Sequence, residues 1–383
     1  MKKKVIPILL LIFTFVIYLI TSSGSTPYDY FVRLADSFLK GRYYLIDNPG
    51  WLNELIPLDG NKYAVVYPPG PALILMPFVY FFGDKFPQQM MAHLLGAGLA
   101  VITAQIAFLK SKKNSHFVWF FLLAAFGNIL WFLSSNGSVW YLGQVAGAFF
   151  LTATIFESLK NKRPLFVSVF FGMAILSRLQ TILTLPLIIF LNKNNLSKKN
   201  ILFYLIPLGI LMILYGYYNE VRFDSFFQTG YSLIPGVLDE PWYSKGIFHL
   251  SYIKNNLRVM FTSLPIFKSE FPYITPSWGG LSILITTPAF IYLLLAKLKE
   301  KENLFAWIPL LLVALVTFSH GGTGFTQFGY RYAVDFYPII FLLLANSLKG
   351  KNLKWHHWLL LIICIIVNLW GVLWINKFGW VSF

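Results

Sequence analysis

Apolar runs of bilayer-crossing length return along the whole chain, and its polar residues are confined to the gaps between them. Only 12% of the 383 residues are charged, against 57% hydrophobic. A soluble domain carries about 25% charged residues. A bilayer interior offers the backbone no water, so such runs must be helices or a closed barrel. The strict alternation of a membrane β-barrel is absent, which leaves helices. The expected fold is an all-α polytopic membrane protein of about 11 transmembrane helices, forming one domain over residues 1–383. The spans fall near 5–21, 91–109, 116–133, 142–158, 164–177, 180–192, 201–217, 280–296, 304–319, 331–348 and 358–375.

Lysine and arginine clusters orient these spans. They are Lys2/Lys3/Lys4, Lys110/Lys112/Lys113, Lys160/Lys162/Arg163, Lys193/Lys198/Lys199, Lys297/Lys299/Lys301 and Lys349/Lys351/Lys354. The net charge of +16 therefore reads as positive-inside bias and not as a nucleic-acid footprint. Eleven spans with a cytoplasmic N-terminus put all six clusters on the cytoplasmic side. The first span reads as uncleaved, because no small-x-small cleavage pattern precedes the polar loop. Pro69 to Phe82 is apolar, but it is 14 residues long and carries three prolines, so it is laid in the outer interface. The outer loops are then 22–90, 134–141, 218–279 and 320–330, and all acids but Glu157, Glu300 and Glu302 lie outside.

The first outer loop, 22–90, is the richest in chemistry. It holds Asp29, Asp36, Asp47, Glu54 and Asp59. Thr26-Pro27-Tyr28-Asp29 reads as a helix start with Thr26 as N-cap. Phe31, Leu34, Ala35 and Phe38 then share an apolar face, with Asp29, Arg33, Asp36 and Lys40 opposite and Gly41 as the stop. This is an amphipathic interfacial helix. Asp29 is either a capping acid or a general base. Tyr67-Pro68-Pro69-Gly70-Pro71 is a rigid elbow out of the loop.

Two further patches are charged. Arg178 stands between apolar runs, where an arginine either snorkels or binds phosphate. The stretch from Gly321 to Asp335 holds Gln327, Tyr330, Arg331 and Asp335. Arg331 and Asp335, one helical turn apart, form a mutual ion pair, or Arg331 holds an anionic headgroup while Asp335 holds Arg331. The large outer loop 218–279 carries Tyr231, Trp242, Tyr243 and other aromatics that read mostly as an interface belt. No phosphate-binding GxxxxGK[ST] loop and no HExxH zinc motif occurs, and the lone Cys364 permits no internal disulfide.

Asp29 just after the first span, the helix LADSFLKGRYYL, the return YPPGPALILMPFVYFFG, the span-end Arg178 and the stretch FGYRYAVDFYP together resemble the GT-C superfamily of membrane glycosyltransferases. The likeness is to bacterial proteins similar to dolichyl-phosphate-mannose protein mannosyltransferases. It implies transfer of a sugar from a polyprenyl-phosphate donor to a glycan, glycolipid or protein acceptor, with inversion, on the outer side of a bacterial cell membrane. Asp29 would be the base, Arg178 and Arg331 the phosphate ligands, and Asp335, Tyr330 and Gln327 their supports. The family's paired acids are not matched, since Tyr30 follows Asp29 and Val65 stands three residues before the Pro-Pro pair. Glu54 or Asp59 is then the possible second acid, or even the base. No cofactor is implied with any specificity, and a divalent metal stays an open alternative. A lipid flippase is the competing function.

Overall fold

The computed structural model describes residues 2–382, with side chains from Val5 onward, so the Lys2/Lys3/Lys4 cluster lies outside the described side chains. The first segment is α1 (Lys2–Ile20). The outer loop that follows holds α2 (Tyr30–Leu39), the hairpin β1 (Leu55–Leu58) and β2 (Lys62–Val65), and α3 (Gly70–Phe82). Next come α4 (Gln88–Ser111), α5 (Asn114–Phe126), α6 (Leu130–Asn136), α7 (Val139–Lys160), α8 (Pro164–Ile175), α9 (Leu185–Asn192) and α10 (Lys198–Phe223). The large loop contains α11 (Ile253–Thr262), and the chain ends through α12 (Ile283–Thr286), α13 (Lys301–Phe318), α14 (Tyr337–Leu348) and α15 (Trp355–Leu373).

Among the described residues, five helices are long and apolar enough to cross a membrane, or six if α5 and α6 count as one span bent by 52°. The other predicted spans are shorter or interrupted. Asn128 makes the α5–α6 bend: its amide donates to the Leu123 and Ala124 carbonyls, closing one helix, while its oxygen accepts from the Leu130 amide, opening the next. The 280–296 span is not one α-helix. Thr287, which precedes Pro288, is driven out of helical geometry, and a 3-10 segment, Pro288–Leu295, follows. The segment at 180–192 opens as a 3-10 turn, Leu179–Thr184, after an extended Arg178. That at 331–348 opens as another, Arg331–Phe336. Helix α10 runs on to Phe223, so the large loop begins later than position 218.

The first loop differs from the expectation in two respects. Helix α2 starts at Tyr30 with Asp29, not Thr26, at the N-cap, and Asp29 makes no side-chain cap bond because its carboxylate is taken by Arg33 at 2.7 Å. The expected faces otherwise hold: Phe31, Leu34 and Ala35 are buried, and Lys40 pairs with Asp36 at 2.6 Å. The hairpin was not anticipated by an all-α reading. Leu55 pairs with Val65 and Leu58 with Lys62 around Asp59-Gly60-Asn61, where Gly60 and Asn61 take the left-handed backbone a tight turn needs. A second two-strand ladder joins Ile266–Phe267 to Ile274–Thr275.

The proline elbow docks α3. The Gly70 amide donates to the Leu176 carbonyl at 2.7 Å, and a Cβ at Gly70 would come within 2.6 Å of that oxygen, so only glycine permits this approach. One apolar core then runs from α1 to α15. A small second cluster joins hairpin residues Ile56, Ala64 and Val66 to Ile234, Val237 and Tyr243 of the large loop. This cluster fixes the start of β1 beneath that loop. Arg222 adds to the join: it is buried, donates to the Val65 carbonyl and stacks on Tyr218.

Among the described side chains, the basic clusters meet at one end of the bundle. Lys110 pairs with Glu302, Lys113 reaches Asn352 at 2.8 Å, the Asn195 amide reaches the Lys162 carbonyl, and Phe190 stacks on Phe305 at 4.4 Å. Helices α7, α8 and α13 carry lysine or arginine at that end, and their opposite ends open on a cavity.

Candidate active site

The cavity measures about 680 Å³ and is walled by four chain-distant pieces. The first loop contributes Phe31, Glu54 and Tyr67; the start of α7 contributes Trp140; the α8 end contributes Arg178 and Gln180; the loop around 320–332 contributes His320 and Arg331. The large loop closes it with Tyr231, Glu240, Trp242 and Tyr243.

Glu54 sits just before β1. Its backbone amide donates to the Tyr30 hydroxyl at 3.1 Å, and the Trp140 indole donates to its Oε2 at 3.0 Å. Burial pushes the Glu54 carboxyl up to about 7; Trp140 and the charge of Arg331 offset that only in part, and Glu240 adds to it. A carboxylate poised near neutral pH is suited to take a proton.

Arg178 is clamped by Asp335, with Nε to Oδ1 at 2.9 Å and Nη2 to Oδ2 at 2.6 Å. Gln180 donates to the same Oδ2 at 2.6 Å. Arg331 is buried and makes no ion pair with a carboxylate among the described residues. Its Nε has no partner, and Nη1 lies 3.4 Å from the Gln144 oxygen. Tyr332 and Tyr141 flank the guanidinium at 4.8 and 5.7 Å. A buried guanidinium whose charge is not neutralised by a carboxylate is a strong anion ligand.

His320 lies among Tyr231, Tyr243, Phe248 and Tyr332, with ring centroids 5.4–5.9 Å away. Its Nδ1 is 3.0 Å from the Gly322 carbonyl and its Nε2 is 3.3 Å from the Tyr243 hydroxyl. Burial pushes it down to about 4, so it is neutral at physiological pH.

Solved structures with the same architecture include ArnT from Cupriavidus metallidurans. Its apo state gives TM-score 0.55 at 12% identity, covering 95% of this chain and 63% of that one. Its undecaprenyl phosphate complex gives 0.52 at 12% identity, covering 94% and 62%. The apo oligosaccharyltransferase of Archaeoglobus fulgidus gives 0.51 at 12% identity, covering 97% and 55%. The chain has the GT-C fold. At 12% identity the likeness is one of fold, and the chain spans about three fifths of the length of the ArnT chains. No protein-family profile matches the chain, and no curated sequence does either.

On this GT-C fold the sequence-expected residues part company. Arg178, Arg331 and Glu54 share the cavity. Asp29 is not among its lining residues; its carboxylate is held by Arg33, which also reaches Asp47 at 2.7 Å. Asp59 lies exposed in the hairpin turn, away from the cavity wall. Asp335 supports Arg178 rather than Arg331. The reason is helical pitch: residues 331–336 form a 3-10 turn with three residues per turn, so positions four apart no longer share a face. The Gln327 Oε1 accepts from the Arg331 amide, and its side-chain amide holds the Gly279 and Thr323 carbonyls. Tyr330 points into the core, donating to Asn256 at 2.9 Å.

Sequence reading did not single out Trp140, Gln180, Glu240 and His320, which line the cavity, or Gln144, which bonds Arg331, and it assigned Tyr231, Trp242 and Tyr243 to a belt although they line the cavity. The usable signal was a lone polar side chain in an apolar stretch, as with Gln144 in YLGQVAGA. Among the described residues, no group of three His, Cys, Asp or Glu side chains is arranged to hold a metal, so no step is routed through one.

Proposed function

We propose that this chain is an integral membrane glycosyltransferase of a bacterial cell membrane. It moves a sugar from a polyprenyl-phosphate donor to an acceptor hydroxyl on the extracytoplasmic side, with inversion. The observation that carries this is the meeting of Glu54 with Arg178 and Arg331 in one cavity. Undecaprenyl phosphate, the ligand seen in ArnT on the same fold, supports the donor class.

In the reaction, Glu54 takes the proton of the acceptor hydroxyl as its oxygen bonds to the sugar's anomeric carbon. The bond from that carbon to the phosphate oxygen breaks, and the electron pair leaves with the carrier phosphate. Arg331, with Arg178 beside it, meets the negative charge that grows there. Arg178 is already paired, so it contributes direction while Arg331 contributes net charge. In this reading Asp29 acts at one remove: through Arg33 it holds α2, which places Tyr30 under Glu54 and Phe31 in the wall.

The charged cavity residues lie at one end of the helices, which favours local chemistry over passage of a lipid through the bundle. Purified protein incubated with polyprenyl-phosphate sugars should release carrier phosphate and form a glycosylated product. Lipid movement between leaflets with the sugar–phosphate bond intact would replace this reading by a flippase.

A further inference from the structure

One part of the cavity wall has its own character. Glu240, Trp242 and Tyr243 come from one short stretch of the large loop and line the cavity together. Among the described residues, no hydrogen-bond donor or cation is paired with the Glu240 carboxylate. Trp242 is 36% exposed and packs against Phe325, another cavity residue, at 4.7 Å between ring centroids.

The loop just after this stretch is tied to the 319–321 segment. The Gly321 amide donates to the Ile247 carbonyl at 2.9 Å, and the His249 amide donates to Ser319 at 2.7 Å. A Cβ on Gly321 would stand 2.3 Å from the Trp242 carbonyl oxygen and 2.5 Å from the Tyr243 ring, so the loop seats directly on bare backbone. An exposed indole packed on a second ring beside a free carboxylate suits a sugar. The C–H face of a sugar ring lies on the electron-rich indole, and its hydroxyls donate to the carboxylate.

Resting on the transfer reaction above, we propose that the acceptor is itself a carbohydrate, bound through Trp242 and Glu240. An extended peptide fits this wall poorly. It would need free backbone amides, but the amides of Leu233, Val237, Asp239 and Tyr243 are engaged within successive tight turns.

The test uses full-length protein in detergent with a polyprenyl-phosphate sugar donor. It offers two acceptor probes, a mixture of neutral oligosaccharides and a Ser/Thr-containing peptide, and reads product by mass and oligosaccharide binding by tryptophan fluorescence. Transfer to oligosaccharide is expected. W242A and E240Q should each raise the KM for it by about 10–100-fold, the loss expected for one charge-assisted hydrogen bond or stacked ring. G321A should raise it as well. F227A, on an 87% exposed ring of the same loop, is the control and should leave it unchanged. Transfer to the peptide alone, or an oligosaccharide KM unmoved in W242A and E240Q, overturns the proposal. Oligosaccharide binding that depends on Trp242 in a protein inert toward every donor would uphold this site and sink the transferase reading instead.

Discussion

Asp335 grips Arg178 across 157 residues of chain through two parallel hydrogen bonds of 2.9 and 2.6 Å, and the Asp335 side chain is fully buried. This pair ties the segment after α8 to the 3-10 turn before α14. Removing one member of a buried pair costs about 3–5 kcal/mol, because the other charge is stranded. D335A should therefore melt well below the native protein and lose activity. The double variant R178A/D335A should recover part of the melting temperature, measured by thermal unfolding in detergent.

Glu54 should set the pH profile. With its carboxyl pushed up to about 7, the base form disappears below that value. The kcat/KM for transfer should then rise about tenfold per pH unit below pH 7 and level off above it. His320 is already neutral above about 4, so H320Q should keep the same inflection. E54Q should lower kcat by about 10²–10⁴-fold and abolish the inflection.

The same burial has a thermodynamic signature. The folded Glu54 binds its proton more tightly than the unfolded one, so its contribution to stability is full below about 4.5 and is lost as pH rises through about 7. E54Q should thus melt above the native protein at pH 8 and lose that advantage at pH 4.

Asp29 gives the sharpest comparison with Glu54. Its contacts are a helix N-terminus and a partly exposed ion pair with Arg33, together a contribution of about 0.3–1 kcal/mol. D29N should fold, melt slightly lower and keep activity within about tenfold of native, whereas E54Q should not. A D29N protein as inactive as E54Q would return Asp29 to the role of base.

Arg331 should resist conservative replacement. R331K keeps the charge but loses the planar fork and the contacts with Tyr332 and Tyr141. The KM for the polyprenyl-phosphate donor should rise about 10–100-fold, measured in steady-state assays at fixed acceptor.

What the residues alone determined is the solvent. A chain with so few charges, and with lysine clusters beside apolar runs, can only be a helical membrane protein, and among the described side chains those clusters do gather at one end. The α2 faces, the proline elbow and the need of Arg178 and Arg331 for a polar setting were legible for the same reason: each depends on local spacing or on the cost of a charge among apolar neighbours. Tertiary structure alone decided which carboxylate meets those arginines. Asp29 and Glu54 occupy one polar loop, and nothing in their spacing shows that Arg33 occupies the first while a hairpin carries the second beneath Trp140. The partner of Asp335 was equally hidden, because a 3-10 turn replaced the α-helix that periodicity suggests and swung the carboxylate from Arg331 toward Arg178. Periodicity reports which residues leave water; only packing between distant segments selects which of them touch.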